Sequence, residues 1–203
     1  VIARYIVFNA YEPFMIFFII LLPILSLIVY ILSKRFAKKE LTFKPKEIEG
    51  WSFYNLQKSL QVKKPLFKGE QQRGYVKRYF SRKWQYVVGD IIGFNWYLSL
   101  EIQIDRDTYD VQWYRENWFS QQEHWKIYKN GAQIGKAHTV FNLKNTAKIK
   151  EQLEFTFSDK TYTTSAKTVT STITLAQEEM KIGTLKRNHL LSNTKVIDVQ
   201  EDL

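Results

Sequence analysis

The apolar run Phe14–Leu32, broken only by Ser26 and carrying Pro23 near its middle, sets the first limit on how this chain folds. As a helix rising 1.5 Å per residue it measures about 28 Å, close to the ~30 Å hydrocarbon core of a bilayer. A proline is tolerated in a spanning helix, where it introduces a kink. Tyr11 and Tyr30 stand near the two ends, where interfacial aromatics are enriched. A cleaved signal peptide would want a basic start, a shorter apolar stretch and a small-residue cleavage site. This chain opens Val1-Ile2-Ala3-Arg4, and no Ala-x-Ala follows the run. A buried core helix rarely stays free of charge for so long. The run therefore predicts one transmembrane helix over 14–33, behind a short extracytoplasmic segment 1–13.

The flanks give an orientation. Lys34, Arg35, Lys38 and Lys39 follow the run, with Lys44 and Lys46 beyond, whereas only Arg4 precedes it. The positive-inside rule then places the C-terminal part in the cytoplasm and makes the protein a single-pass component of the cell membrane. The formal net charge of +10 is concentrated next to the helix. Residues 34–90 hold 15 Lys/Arg against 5 Asp/Glu, and residues 91–203 hold 14 of each. A basic juxtamembrane segment, 34–50, suits an anionic membrane surface, at about 1 kcal/mol per charge near it. Nucleic acid is the other common partner of such charge and fits a membrane-anchored chain poorly. A solvated stretch that only sets topology accounts for the same residues.

The rest of the chain, 51–203, reads as strands. Residues 97–104 alternate apolar and polar side chains for eight positions, and residues 109–115 do so again, with turn chemistry at 105–108. His124–Gly135 reads as a hairpin around Asn130-Gly131, the favoured type I′ pair. Residues 144–152 suit either a helical turn or an extension of the next strand. Strands follow at 153–157, 161–162, 168–175, 180–187 and 195–199. Nine to eleven short strands at close spacing predict a mainly β fold, a closed antiparallel barrel or a sandwich, because open sheets leave reactive edges.

There is no cysteine, which excludes disulfides, thiolate metal sites and a cysteine nucleophile. His124, His138 and His189 have no ligand-like spacing, so no metal and no cofactor are expected. No Gly-x-Ser-x-Gly, His-Glu-x-x-His, P-loop or dinucleotide fingerprint is present, and the chain is not expected to be an enzyme. Asp105, Asp107 and Asp110 loosely suggest Ca²⁺ but lack the glycine and terminal glutamate of an EF-hand loop. The segment Arg73–Trp84 interleaves basic and aromatic residues. Basic groups take phosphates, and aromatic rings suit a lipid interface or a stacked base. The same pattern is also that of a strand with its aromatics facing a core. Lys77, Arg78, Arg82 and Lys83 are the candidate anion-binding residues here, and Lys186 and Arg187 form a second small cluster. Lys34, Arg35, Lys38 and Lys39 are the candidate membrane-surface residues.

The order of elements resembles the tubby C-terminal-like group, which includes the LURP-one and scramblase-like families. The likeness is carried by Val111-Gln-Trp-Tyr-Arg-Glu116, then His124-Trp-Lys-Ile-Tyr128, then Gly131-Ala-Gln-Ile-Gly135, and later Lys181-Ile-Gly-Thr-Leu-Lys-Arg187. It covers about 51–199. The resemblance implies a 12-stranded barrel around a central apolar helix near the C-terminus. It also implies association with membranes or phosphoinositides through basic barrel residues. This chain departs from the pattern in having no apolar run after Val199. The central helix would then lie past Leu203, or be the Phe14–Leu32 segment itself. Two functions are expected. The first is a tethered, non-catalytic β-domain that binds anionic lipid or an acidic partner at the cytoplasmic face. The alternative is a structural or immunity-type subunit that works through its transmembrane helix with another membrane protein.

Overall fold

The computed structural model describes residues 13–56, 61–86, 89, 97–117, 122–140, 152–167, 172–178, 180–189 and 192–199. The chain divides into two compact units, Val1–Lys39 and Glu40–Leu203.

The first unit is helical. Helix α1, Pro13–Leu41, is one continuous helix with Pro23 inside it. At 1.5 Å per residue it is about 43 Å long. It continues two turns past the apolar run, because lysine and arginine are good helix formers, enough to outweigh the like-charge repulsion of Lys34 with Lys38 and of Arg35 with Lys39. It is the one described helix long and apolar enough to cross a membrane, and its apolar window is not buried. Phe14, Ile20, Leu22 and Val29 are each more than half exposed.

The second unit is a closed barrel of twelve strands. They are β1 (Trp51–Tyr54), β2 (Lys64–Lys68), β3 (Gln71–Tyr79), β4 (Ser99–Ile104), β5 (Asp107–Tyr114) and β6 (His124–Lys129). There follow β7 (Ala132–Val140), β8 (Gln152–Phe157), β9 (Lys160–Lys167), β10 (Thr172–Gln177), β11 (Met180–Arg187) and β12 (Thr194–Val199). Every strand pairs antiparallel with its sequence neighbours, and β1 pairs with β12, with Trp51 opposite Ile197. A four-residue helix, α2 (Lys83–Tyr86), lies between β3 and β4. It is the only described helix that lies wholly within this unit. The expected element at 144–152 falls almost wholly outside the described residues, as do positions 168–171 of the threonine-rich strand.

Register explains the alternation seen in the sequence. Val76, Ile102 and Tyr109 are opposite one another on β3, β4 and β5, and Val111, Ile127 and Gly135 on β5, β6 and β7. This apolar face lines the barrel interior. Partners one residue away, such as Lys77 opposite Glu101 and Asp110 opposite Tyr128, form the polar outer wall. On β2 both faces are covered: Lys64, Pro65, Leu66 and Phe67 are all buried. Phe43 of the preceding segment stacks on Tyr54 and meets Phe67 edge-on.

The two barrel ends differ. One rim carries tight turns at 69–70, 105–106, 130–131 and 158–159, and a turn at Glu178. The Asn130-Gly131 turn has φ of +50° and +85°, the left-handed pair that a type I′ turn requires. Asn130 Oδ1 accepts from Thr108 N at 2.8 Å, and its Nδ2 donates to Asp107 Oδ1 at 2.8 Å. Lys129 Nζ sits 2.8 Å from Asp107 Oδ2. The other rim carries the longer connections, described over 55–56, 61–63, 80–86, 97–98, 115–117 and 122–123.

Two predictions follow from these contacts. A Cβ on Gly74 would lie 1.8 Å from the Gln103 carbonyl oxygen of the neighbouring strand. Gly74→Ala should therefore lower stability by more than ~2 kcal/mol in denaturant unfolding. The Lys129 and Asn130 contacts hold the Asp107 carboxyl below its ordinary value. Its stabilising effect is present above the unfolded carboxylate value, about 3.9, and is lost as pH falls through the lower folded value. Asp107→Asn should reduce stability at pH 7, and the difference from wild type should shrink at pH 3 and below.

Candidate functional site

All six basic residues expected to bind anions lie at the long-loop rim. Lys77 and Arg78 end β3, Arg82 and Lys83 open the connection to β4, and Lys186 and Arg187 end β11. They do not form one patch. Strand alternation puts Lys77 on the outer wall, where its Nζ is 3.9 Å from Glu101 Oε2. Arg78 points inward, opposite Leu100, with its guanidinium 5.3 Å from the Phe80 ring centroid. Arg187 is opposite Lys195, on the inward face, and Lys186 opposite Val196, on the outer. Strands β3 and β11 are four strand spacings apart, roughly 19 Å along the wall.

Arg82 and Lys83 have the best-formed surroundings. Gln85 is buried, accepts from the Arg82 N–H at 2.9 Å and donates its own N–H to Arg82 O at 3.1 Å. That reciprocal brace fixes the backbone and leaves both basic side chains exposed. Phe80 and Tyr86 meet edge-to-face at 5.8 Å. With Gln61 and Ser81 these residues line an open pocket of about 440 Å³. Two cations and two aromatic rings around an open pocket suit a phosphate or carboxylate head group beside apolar material. Trp84 is 48% exposed next to it, as an interfacial aromatic would be.

The wall beneath is stiffened by hydrogen bonds that were not read from the sequence. Tyr79 Oη donates to Asp110 Oδ1 at 2.6 Å, and Gln112 Nε2 donates to Asp110 Oδ2 at 2.6 Å. Tyr75 donates to Glu101, which also faces Lys77. Burial, then the Asp110 carboxylate, push the Tyr79 hydroxyl well above its ordinary range, so it remains a donor.

A buried ion pair also sits at this rim. Glu40 is fully buried, and its Oε1 is 3.1 Å from Nζ of Lys64, at the start of β2. Lys64 donates to Asn55 Oδ1 at 2.5 Å as well. Burial lowers the Lys64 pKa and Glu40 opposes that shift. Nothing in the sequence distinguishes Glu40 from a solvated residue of the basic segment.

The remaining candidates are structural. Of the carboxylates that loosely suggested Ca²⁺, Asp105 is bound by Arg73, at 2.6 and 2.8 Å, Asp107 by Lys129, and Asp110 accepts from Tyr79 and Gln112. His124 and His138 are register partners on the outer wall with ring centroids 6.0 Å apart. Among the described residues no group of three or more His, Asp or Glu could hold a metal ion.

A closed twelve-stranded antiparallel barrel with a basic, loop-bearing rim, preceded by a long apolar helix, defines a class of β-barrel domain. The family model for the Tubby C-terminal-like domain matches residues 53–202, and the chain belongs to that family. Comparison with curated proteins and with solved structures gives no match.

The ion pair gives a prediction. Glu40→Ala leaves the Lys64 charge buried and should cost about 3–5 kcal/mol of barrel stability, whereas Glu40→Met with Lys64→Met should recover most of it. Thermal unfolding of the three proteins compares them directly.

Proposed function

We propose that this chain is a single-pass membrane protein whose barrel binds anionic lipid head groups at the cytoplasmic face, without catalysis. The observation that supports the reading is the Arg82–Lys83 corner, where two exposed cations and the rings of Phe80 and Tyr86 line an open pocket. Three further features support it. Helix α1 has the length and composition of a membrane span, and Lys34, Arg35, Lys38 and Lys39 follow its apolar part. The barrel unit begins at Glu40, and Glu40 lies at this same rim. Membership of the Tubby C-terminal-like family agrees with lipid binding.

Tethering raises the local concentration of the barrel at the surface, so weak head-group contacts would be populated. Charge contacts of this kind weaken as salt shortens the screening length from about 10 Å at 0.1 M to about 3 Å at 1 M. Residues 40–203, which retain Glu40, should co-sediment with vesicles of mixed phosphatidylcholine and phosphatidylserine and not with phosphatidylcholine alone. Binding should fall steeply between 0.1 and 0.5 M salt. Arg82→Glu with Lys83→Glu should weaken it at least about tenfold at low salt, given ~1 kcal/mol per basic residue and the added repulsion. Unchanged binding by that double variant would remove the pocket from the proposal.

A further inference from the structure

Asn130 ties two turns of the tight-turn rim together. Its backbone N–H donates to Thr108 O at 2.8 Å, and its side-chain Oδ1 accepts from Thr108 N at 2.8 Å. One residue thus holds both main-chain groups of Thr108. A third bond runs from Asn130 Nδ2 to Asp107 Oδ1 at 2.8 Å, and Lys129 Nζ holds the other oxygen of that carboxylate. The full set needs a side-chain amide, which carries an acceptor and a donor side by side.

The next residue makes this amide reactive. Asn130-Gly131 is the only Asn-Gly pair in the chain. Both residues are exposed, and a Cβ built on Gly131 would meet nothing within 4 Å. Gly131 therefore presents its backbone nitrogen without the steric cover of a side chain. That nitrogen can attack Asn130 Cγ. The new N–Cγ bond forms as the Cγ–Nδ2 bond breaks, and Nδ2 leaves as ammonia, with the proton that the Gly131 nitrogen gives up. Water then opens the cyclic imide at either carbonyl. One opening gives aspartate. The other gives isoaspartate, whose main chain runs through Cγ.

The folded turn opposes the first step. Asn130 and Gly131, with φ of +50° and +85°, occupy the two central positions of a type I′ turn. The first of these has ψ of roughly +30°, which points the following nitrogen away from the side chain. Ring closure needs that torsion to rotate. It also needs the side-chain amide to leave Thr108 and Asp107, breaking two hydrogen bonds, one of them to a charged acceptor.

We propose that Asn130 is a spontaneous modification site, converted to aspartate and isoaspartate at a rate set by how often the β6–β7 turn opens. The product does not restore the turn. A carboxylate at position 130 loses the Nδ2 donor and sets an oxygen against Asp107 Oδ1, and isoaspartate also lengthens the main chain of a tight turn. One conversion therefore records that this rim has opened and keeps it from closing as before. The modification is independent of what the opposite rim binds.

The test follows the full chain in nonionic detergent at mildly alkaline pH, with and without denaturant. Peptide mass spectrometry localises the amide-to-acid change, and an isoaspartate methyltransferase counts the isoaspartate. In denaturant, residue 130 should change first among the asparagines, and folding should slow that change at least about tenfold. Asp107→Ala removes the acceptor of Nδ2 and should speed the change in the folded protein about tenfold, with the rate in denaturant unaltered. Asp107→Asn keeps an acceptor beside Nδ2 and should fall between the two. Asn130→Asp, made directly, should unfold at a lower temperature than wild type. Equal rates with and without denaturant would overturn the proposal, as would another asparagine changing first in denaturant. So would a folded-state rate that Asp107→Ala leaves alone, or an Asn130→Asp protein as stable as wild type.

Discussion

The pairing of β1 with β12 is the contact on which the other features depend. β1 has only four residues, and it pairs along its whole length with β12 and over three positions with β2. Without that closure β12 and β2 would be open edges, and the interior would no longer be separated from the outer wall. Closure also brings the basic ends of β11 and β3 to one rim, since they lie either side of β12, β1 and β2. The short strand is reinforced from outside by Phe43 against Tyr54 and Phe67, and Ser52 beneath it is completely buried. At the rim the Glu40–Lys64 pair adds a contact whose value depends on both partners being present.

Much of this architecture was legible in the sequence, and where it was not the reason is physical. Strands β4 to β7 read directly because one face is buried and the other solvated, which writes a period of two into the sequence. The Asn130-Gly131 turn read directly because few residues adopt two successive left-handed conformations. β2 was not legible: both of its faces are covered, so Lys64-Pro-Leu-Phe lacks alternation and contains a residue usually found at the surface. β1 is too short to show any period. The lysine-rich stretch after the apolar run suits a linker or a short helix, and the helix continues through it to Leu41 because lysine and arginine are good helix formers.

The site was half legible. Basic and aromatic residues between 73 and 84 include those that line the open pocket at Phe80–Lys83. Treating Lys77 and Arg78 as one surface overlooked the alternation that sends neighbours to opposite sides of a wall. Lys195 and Lys64 escaped notice because inward-facing cations at a strand end resemble ordinary solvated lysines. Glu40 gains its importance only from a partner 24 positions away. The central helix that the family resemblance implies is not seen among the described residues of the barrel unit.

Since the chain has no cysteine, single cysteines can report which barrel end meets the bilayer. The most direct measurement places one at Trp84 or Lys186 on the long-loop rim, and at Gly131 or Asp159 on the tight-turn rim, in the full chain reconstituted into anionic bilayers. Each would carry a fluorophore read against lipid-bound quenchers. A lipid-binding mouth predicts quenching at 84 and 186 that is lost in high salt, with none at 131 and 159. Quenching at the tight-turn rim, or at neither rim in low salt, would contradict it.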